Sequence, residues 1–159
     1  MARAGFYAIQ SSKITFGRDG RWYSDGEPIT NQKISQLFSR HVVRQPDGSY
    51  RIEIDWDKAP IEVEDTPYVV RSAAPMQGGG FSVELNDETC ETLDLRSLEI
   101  SPENVLYCRV KKGSERARFL RPAYYHLAPF IQESGGSFVL RVNGEEYPIA
   151  PARQPARTS

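Results

Sequence analysis

Cysteine, histidine and methionine are scarce in this chain, two of each among 159 residues. Cys90 and Cys108 form no Cys-x-x-Cys pair, and His41 and His126 form no His-x-x-x-His pair. The ligand spacing of a structural metal site is therefore missing, and so is any local nucleophile–base arrangement. Two cysteines and no signal-peptide pattern point to a reducing, cytoplasmic setting. Long apolar runs are absent too: nothing approaches the ~20 residues of a membrane span, so no membrane partner is expected. Charge of one sign is not in excess. With a net charge of −1 there is no global field to hold nucleic acid, which is disfavoured as a partner. No phosphate-loop or dinucleotide-binding pattern occurs. Gly78-Gly79-Gly80 lacks the lysine and the strand–helix setting such a loop needs, and reads as a linker.

What is present is most legible between residues 19 and 54. Asp19-Gly20 lies between Ile14-Thr15-Phe16 and Trp22-Tyr23, a strong hairpin signal because Gly supplies positive φ without strain. Asp25-Gly26 ends the returning strand. Thr30 reads as the N-cap of a helix, with Ile29 and Ile34 at the spacing of a hydrophobic staple. Ile34, Leu37, Phe38, His41 and Val42 form one apolar stripe at helical spacing. Pro46-Asp47-Gly48 turns the chain, and Tyr50, Ile52 and Ile54 alternate with Arg51 and Glu53 as a half-buried strand.

This grammar returns near the C-terminus. The run Gly48-Ser49-Tyr50-Arg51-Ile52-Glu53-Ile54 reappears as Gly136-Ser137-Phe138-Val139-Leu140-Arg141-Val142, and Pro60-Ile61 as Pro148-Ile149 at the same offset. The expected fold class is therefore α+β, with two repeated strand-strand-helix-strand-strand units whose twisted, mostly antiparallel sheets pack together. The first repeat is placed at residues 13–71 and the second at 105–151. Residues 72–104 become a connector with one strand and an acidic loop, and residues 152–159 a disordered tail. Phe6, Tyr7 and Ile9 are expected to dock a loose N-terminal lead-in on the sheet. In the second repeat Leu106, Cys108 and Val110 alternate with Tyr107, Arg109 and Lys111. Pro122 opens a short helix that Pro129 must kink or end.

The motifs Asp19-Gly20-Arg21-Trp22, Gly26-Glu27-Pro28-Ile29, Leu37-Phe38-Ser39, Tyr50 and Ile61-Glu62-Val63-Glu64-Asp65-Thr66-Pro67 resemble the bacterial domain-of-unknown-function family 1285. Arg121-Pro122, Tyr125, Leu127 and Pro148-Ile149 extend the resemblance toward the C-terminus, while residues 72–104 depart from the family's pattern. The resemblance implies an α+β protein with internal repeats. It brings no established activity and no catalytic residues. A regulatory or signalling role is the expectation that goes with it.

The strongest candidate site is a basic hairpin. Arg109, Lys111, Lys112, Arg116, Arg118 and Arg121 cluster there with only Glu115 opposing, and alternation puts Arg109, Lys111, Arg116 and Arg118 on one face. Like charges across a strand pair repel, so something acidic must lie nearby. It is either a bound anion or acidic partner, or the chain's own acidic segments, the commoner outcome for surface charge. Glu62, Glu64 and Asp65 carry oxygen ligands but no ligand loop, so no metal site is assigned. Cys108 reads as a small buried hydrophobe, His41 as a packed histidine bonded to backbone, and Trp22, Tyr23, Tyr50, Tyr124 and Tyr125 as core more than as a stacking pocket.

These observations favour a non-enzymatic regulatory or ligand-sensing module without a cofactor. It would bind a small anion or an acidic protein segment through Arg109, Lys111, Arg116, Arg118 and Arg121. The alternatives are a protein–protein adaptor and, behind it, a carboxylate-dependent hydrolase that would need Glu62, Glu64 or Asp65 beside a histidine. Oligomeric state is left open by the sequence.

Overall fold

The structure, a computed structural model, describes residues 12–152. The docking expected of Phe6, Tyr7 and Ile9, and the disorder expected of the tail past Ala152, lie outside the described residues. The chain divides into two compact units. One holds the described residues up to Tyr68 together with Asn86–Glu88, and the other holds Val69–Leu85 and the described residues from Thr89 onward.

The first unit is built on six strands: β1 (Ile14–Phe16), β2 (Trp22–Ser24), β3 (Glu27–Pro28), β4 (Val42–Arg44), β5 (Tyr50–Ile54) and β6 (Asp57–Val63), in the order β3-β2-β1-β6-β5-β4. Local chemistry sets its turns. Gly20 sits at φ +79 and donates its N–H to the Gly17 carbonyl at 3.0 Å, while the Asp19 carboxylate accepts from the Arg21 N–H at 3.1 Å. Asp25-Gly26 has positive φ at both residues, the geometry of the tightest hairpin. Helix α1 (Gln32–Arg40) is capped by Asn31, not Thr30: Asn31 Oδ1 accepts from the Lys33 and Ile34 N–H groups at 3.0 and 3.3 Å. β1 then pairs in parallel with β6, Ile14 opposite Ile61, so four strands and the helix intervene between two adjacent strands.

The core of this unit gathers on Trp22. Its ring lies 4.8 Å from Phe16 and 5.5 Å, edge-on, from Phe38. A buried indole N–H needs an acceptor. Ser39 Oγ provides it at 2.9 Å and also accepts from Asn86 Nδ2 at 2.9 Å. All three side chains are buried. Around the rim, Glu88 takes Gln36 Nε2 at 2.7 Å and pairs with Arg40.

Nine strands form the sheet of the second unit: β7 (Tyr68–Pro75), β8 (Phe81–Leu85), β9 (Cys90–Thr92), β10 (Glu99–Ile100), β11 (Leu106–Val110), β12 (Glu115–Phe119), β13 (Ile131–Ser134), β14 (Ser137–Val142) and β15 (Glu145–Pro151). Their order is β13-β14-β15-β10-β11-β12-β7-β8-β9. Helix α2 (Arg121–Leu127) follows β12 and gives way to a 3-10 turn at Ala128–Phe130, where Pro129 ends the α-helical bonding. β10 is antiparallel to β11 and parallel to β15. The two similar stretches of sequence hold similar places: Arg51 faces Pro60 across β5 and β6, and Val139 faces Pro148 across β14 and β15.

The α+β expectation is corrected here. The described residues are mostly strand, in two large mixed sheets, with two short α-helices of nine and seven residues. The expected strand-strand-helix-strand-strand units with balanced helices are not what forms. The physical reasons are local. α1 stops at Arg40 because Val42 and Val43 are β-branched and pair with Ile52 and Arg51 instead. α2 is cut off by Pro129. Ser72, Ala73 and Ala74 have weak strand propensity, yet β7 runs through them because pairing with β8 decides the conformation.

Replacing Ser39 by Ala leaves the Trp22 and Asn86 donors of this network without that acceptor. An unsatisfied buried donor costs about 1–3 kcal/mol, and Asn86 has a further partner, so S39A is expected to lower stability by about 1–3 kcal/mol in urea denaturation, chiefly through the Trp22 indole. A loss under about 0.5 kcal/mol would show that the network is not fixed in this way.

Candidate functional site

Cross-strand register assembles the basic face of the second unit. β11 and β12 are antiparallel, with Arg109 opposite Arg116 and Tyr107 opposite Arg118. Directly opposed residues share a face, so these four lie on one side, while Cys108, Val110, Ala117 and Phe119 are buried on the other. Two guanidinium groups in register repel each other. β10 offsets this by placing Glu99 opposite Tyr107. Arg116 Nη2 reaches Glu99 Oε1 at 3.1 Å, and its guanidinium stacks over the Tyr107 ring at 4.0 Å. Arg116 is thus held from two sides in a half-buried setting, where a cation–π contact is worth about 0.5–2 kcal/mol.

Arg109 differs. Its backbone N–H donates to Ser97 Oγ at 2.9 Å, but among the described residues its exposed guanidinium joins no ion pair. Arg118 is half-buried beside Tyr107, and Arg121 is exposed as the first residue of α2. Lys111 leaves the strand face. It lies in the β11–β12 turn at φ +55, its N–H donating to Glu91 Oε2 at 3.2 Å and its Nζ to Thr89 Oγ1 at 3.1 Å. The register thus brings Arg109, Arg116 and Arg118 together, with Lys111 beyond one end and Arg121 beyond the other.

The other chemical candidates are engaged elsewhere. Glu62 pairs with Lys13 at 3.2 Å. Glu64 accepts the Arg18 N–H at 2.9 Å and has the Arg18 guanidinium 3.9 Å away. His41 Nδ1 lies 2.8 Å from the Leu37 carbonyl, and His126 is exposed on α2. Among the described residues no group of three or more ligating side chains gathers. Tyr23 donates to Asp19 Oδ2 at 2.5 Å, and this bond, with burial second, raises the phenol above its ordinary range. Trp22 is core. Tyr23 and Tyr50 belong to the first unit, Tyr124 and Tyr125 to the second, and the latter two stand 6.0 Å apart on α2.

Three features escaped sequence reasoning. Glu99 and Tyr107 as the partners of Arg116 follow from register alone. Trp56 stands 85% exposed at the β5–β6 turn, against the ordinary preference of tryptophan for burial. The glycines 78–80 are not a linker but the turn of the β7–β8 hairpin, all with positive φ. No helix among the described residues is long and apolar enough to cross a membrane.

Two β-sheet units with short helices, and a basic strand face in the second, define the class of protein. Comparison with known families adds its relatives. Residues 7–66 match the model of the domain of unknown function DUF1285, N-terminal domain. Two solved structures share the fold. A DUF1285 family protein from Silicibacter pomeroyi matches with a TM-score of 0.69 and 20% identity, over 87% of this chain and 80% of its own. One from Shewanella baltica matches with a TM-score of 0.60 and 18% identity, over 76% of this chain and 93% of its own. A search of curated proteins gave no match. The resemblance read from Asp19-Gly20-Arg21-Trp22 and the motifs after it is thereby shown: this chain resembles the DUF1285 family, through a match of residues 7–66 to the model of its N-terminal domain and a fold shared with two of its solved structures.

The two thiols are free and sharply unequal. Burial, with Glu91 and then Asp94 adding, pushes Cys108 up to about 12 from an ordinary value of 9.0. Protonated Cys108 therefore favours the folded state fully below about pH 9, and that contribution is lost as the pH rises from 9 through 12. At pH 8 a disulfide reagent is expected to modify exposed Cys90 at once and Cys108 only on unfolding. Two equally fast thiols in the native chain would contradict this placement.

Proposed function

We propose that this chain is a non-enzymatic binding module whose ligand presents a carboxylate or phosphate group to the β11–β12 face. The observation that carries this reading is the direct opposition of Arg109 and Arg116. One member is fixed by Glu99 and Tyr107. The other is exposed and has no carboxylate of its own among the described residues. A bound anion would relieve the repulsion that Glu99 only partly offsets, and two guanidinium groups suit bidentate oxyanion recognition. A ligand-sensing or regulatory role for the binding fits the scarcity of catalytic pairings, and the anion is either a small molecule or an acidic protein segment.

A second reading, a protein–protein adaptor without a small ligand, is favoured by Trp56, since exposed tryptophans anchor many interfaces. The two readings separate by mutation. An adaptor would keep its protein partner when Arg109 is reversed and lose it on Trp56→Ala.

The test is a thermal-shift series with inorganic phosphate and with a hexaglutamate peptide, at low and moderate salt. Binding to the native state alone stabilises it by ~2.7 kcal/mol at a hundredfold excess over Kd. Wild type is expected to shift with at least one probe, less so at higher salt, and Arg109→Glu is expected to abolish the shift without lowering the unliganded midpoint, because a carboxylate opposite Arg116 replaces a repulsive cross-strand pair by an attractive one. Unchanged binding by Arg109→Glu would overturn the assignment.

A further inference from the structure

The junction of β12 with α2 supports a separate inference, one that does not rest on the Arg109–Arg116 opposition. β7 lies beside β12 in the sheet, and where β12 ends the Leu120 N–H donates to the Val70 carbonyl at 3.0 Å. Arg71 follows Val70 and Arg121 follows Leu120, so one hydrogen bond between the two segments brings two arginines together. Arg71 stands outside the β7–β8 ladder. Val70 pairs with Leu85 and Ser72 with Glu84, which leaves Arg71 as the extra residue of a β-bulge. A bulge re-aims a side chain. Here Val70 and Ala73 are buried while Arg71 is exposed. Arg121, the first residue of α2, is exposed as well.

Neither charge is answered from within the unit. Among the described residues Arg71 and Arg121 join no ion pair. The first turn of α2 holds no acidic residue. The carboxylate that register brings beside Arg71 is Glu84, opposite Ser72, and it accepts the Ser72 hydroxyl at 3.4 Å. Two like charges held on adjoining backbone raise each other's energy, and an oxyanion between them removes that cost. Tyr125 adds a third element. It lies four residues after Arg121, so the two side chains are neighbours on one helical face, about 5–6 Å apart at Cβ. Its ring is 61% exposed, where the sequence pattern placed it in the core.

We propose that Arg71, Arg121 and Tyr125 form a binding site for an aryl phosphate, the phosphate held between the two guanidinium groups and the aromatic body lying on the Tyr125 ring. A phosphate monoester carries about −1.5 to −2 charge at pH 7, which matches two guanidinium groups better than a single carboxylate does. Its oxygens also suit the planar donor fork of arginine. The same chemistry is presented by a free aryl phosphate and by a phosphotyrosine side chain.

The experiment titrates the full ¹⁵N-labelled chain with phenyl phosphate, with inorganic phosphate and with a blocked phosphotyrosine tripeptide, and follows amide shifts. Phenyl phosphate is expected to move the Arg71, Ser72, Arg121 and Tyr125 amides saturably, and to bind at least about threefold more tightly than inorganic phosphate. Arg71→Gln and Arg121→Gln are each expected to weaken both ligands about tenfold. Tyr125→Ala is expected to bring phenyl phosphate to the level of inorganic phosphate and to leave the latter unchanged, a split that a general loss of structure would not produce. Tighter binding of the tripeptide than of phenyl phosphate assigns the site to a protein-borne phosphotyrosine, and binding no tighter assigns it to the free ester. Shifts confined to Tyr107–Arg109 and Arg116 would overturn this proposal while upholding the β11–β12 reading. No shift at millimolar phenyl phosphate, or unchanged binding by both glutamine variants, would overturn it as well.

Discussion

Two residues, Glu99 and Ile100, hold the second sheet together. They form β10, which pairs in parallel with β15 on one side and antiparallel with β11 on the other. Backbone bonds continue past its ends: the Ala150 N–H reaches the Leu98 carbonyl at 3.1 Å, and the Ala152 N–H reaches that of Ile100 at 2.8 Å. Without β10 the hairpins on its two sides have no common strand. The first sheet has the same kind of closure in β1, set between β2 and β6. Each is a pairing between segments far apart in sequence, whose loop-closure entropy must be met before the contacts return anything.

The same two-residue strand shapes the chemistry of its neighbours. Glu99 is the carboxylate that fixes Arg116, and it stands there only because the β10–β11 register sets it against Tyr107. A shift of that register by one residue would turn Glu99 to the buried face and Ile100 to the basic one. The apolar side guards against this. Ile100, Leu106, Cys108 and Ala117 are all buried, and none could exchange places with a charged neighbour without a large desolvation cost. Hydrophobic alternation on one face therefore determines the electrostatic arrangement on the other. Arg109 and Arg116 remain opposed because the residues beneath them must be inside.

Much of this was legible in the sequence wherever the signal is local. Asp19-Gly20, Asp25-Gly26, Asp47-Gly48 and Asn143-Gly144 mark turns because positive φ has few chemical solutions. Alternation in Tyr50–Ile54 and Leu106–Val110 identified strands and the side of each that is buried. The helix cap was displaced by one residue because Thr30 and Asn31 are both good caps and only the backbone chooses between them. Where sequence reasoning failed, the deciding contact was non-local. Ser72-Ala73-Ala74 becomes strand through its partners, and Glu99 becomes a guanidinium ligand through register. The three glycines read as slack chain, yet Asn143, from a distant hairpin, makes them a defined turn. The α+β expectation gave weight to a 3.6-residue stripe in the first helix and to Pro122 opening the second, but the first yields to β-branched residues after Arg40 and the second to Pro129.

The most direct measurement of the anion-binding role is a map of backbone amide shifts when the full chain is titrated with inorganic phosphate at low salt. Saturable shifts centred on Tyr107–Arg109 and Arg116–Arg118, fading as salt rises, are the predicted result. Shifts that are linear and spread over every exposed lysine and arginine, with none favoured on β11 and β12, would contradict it.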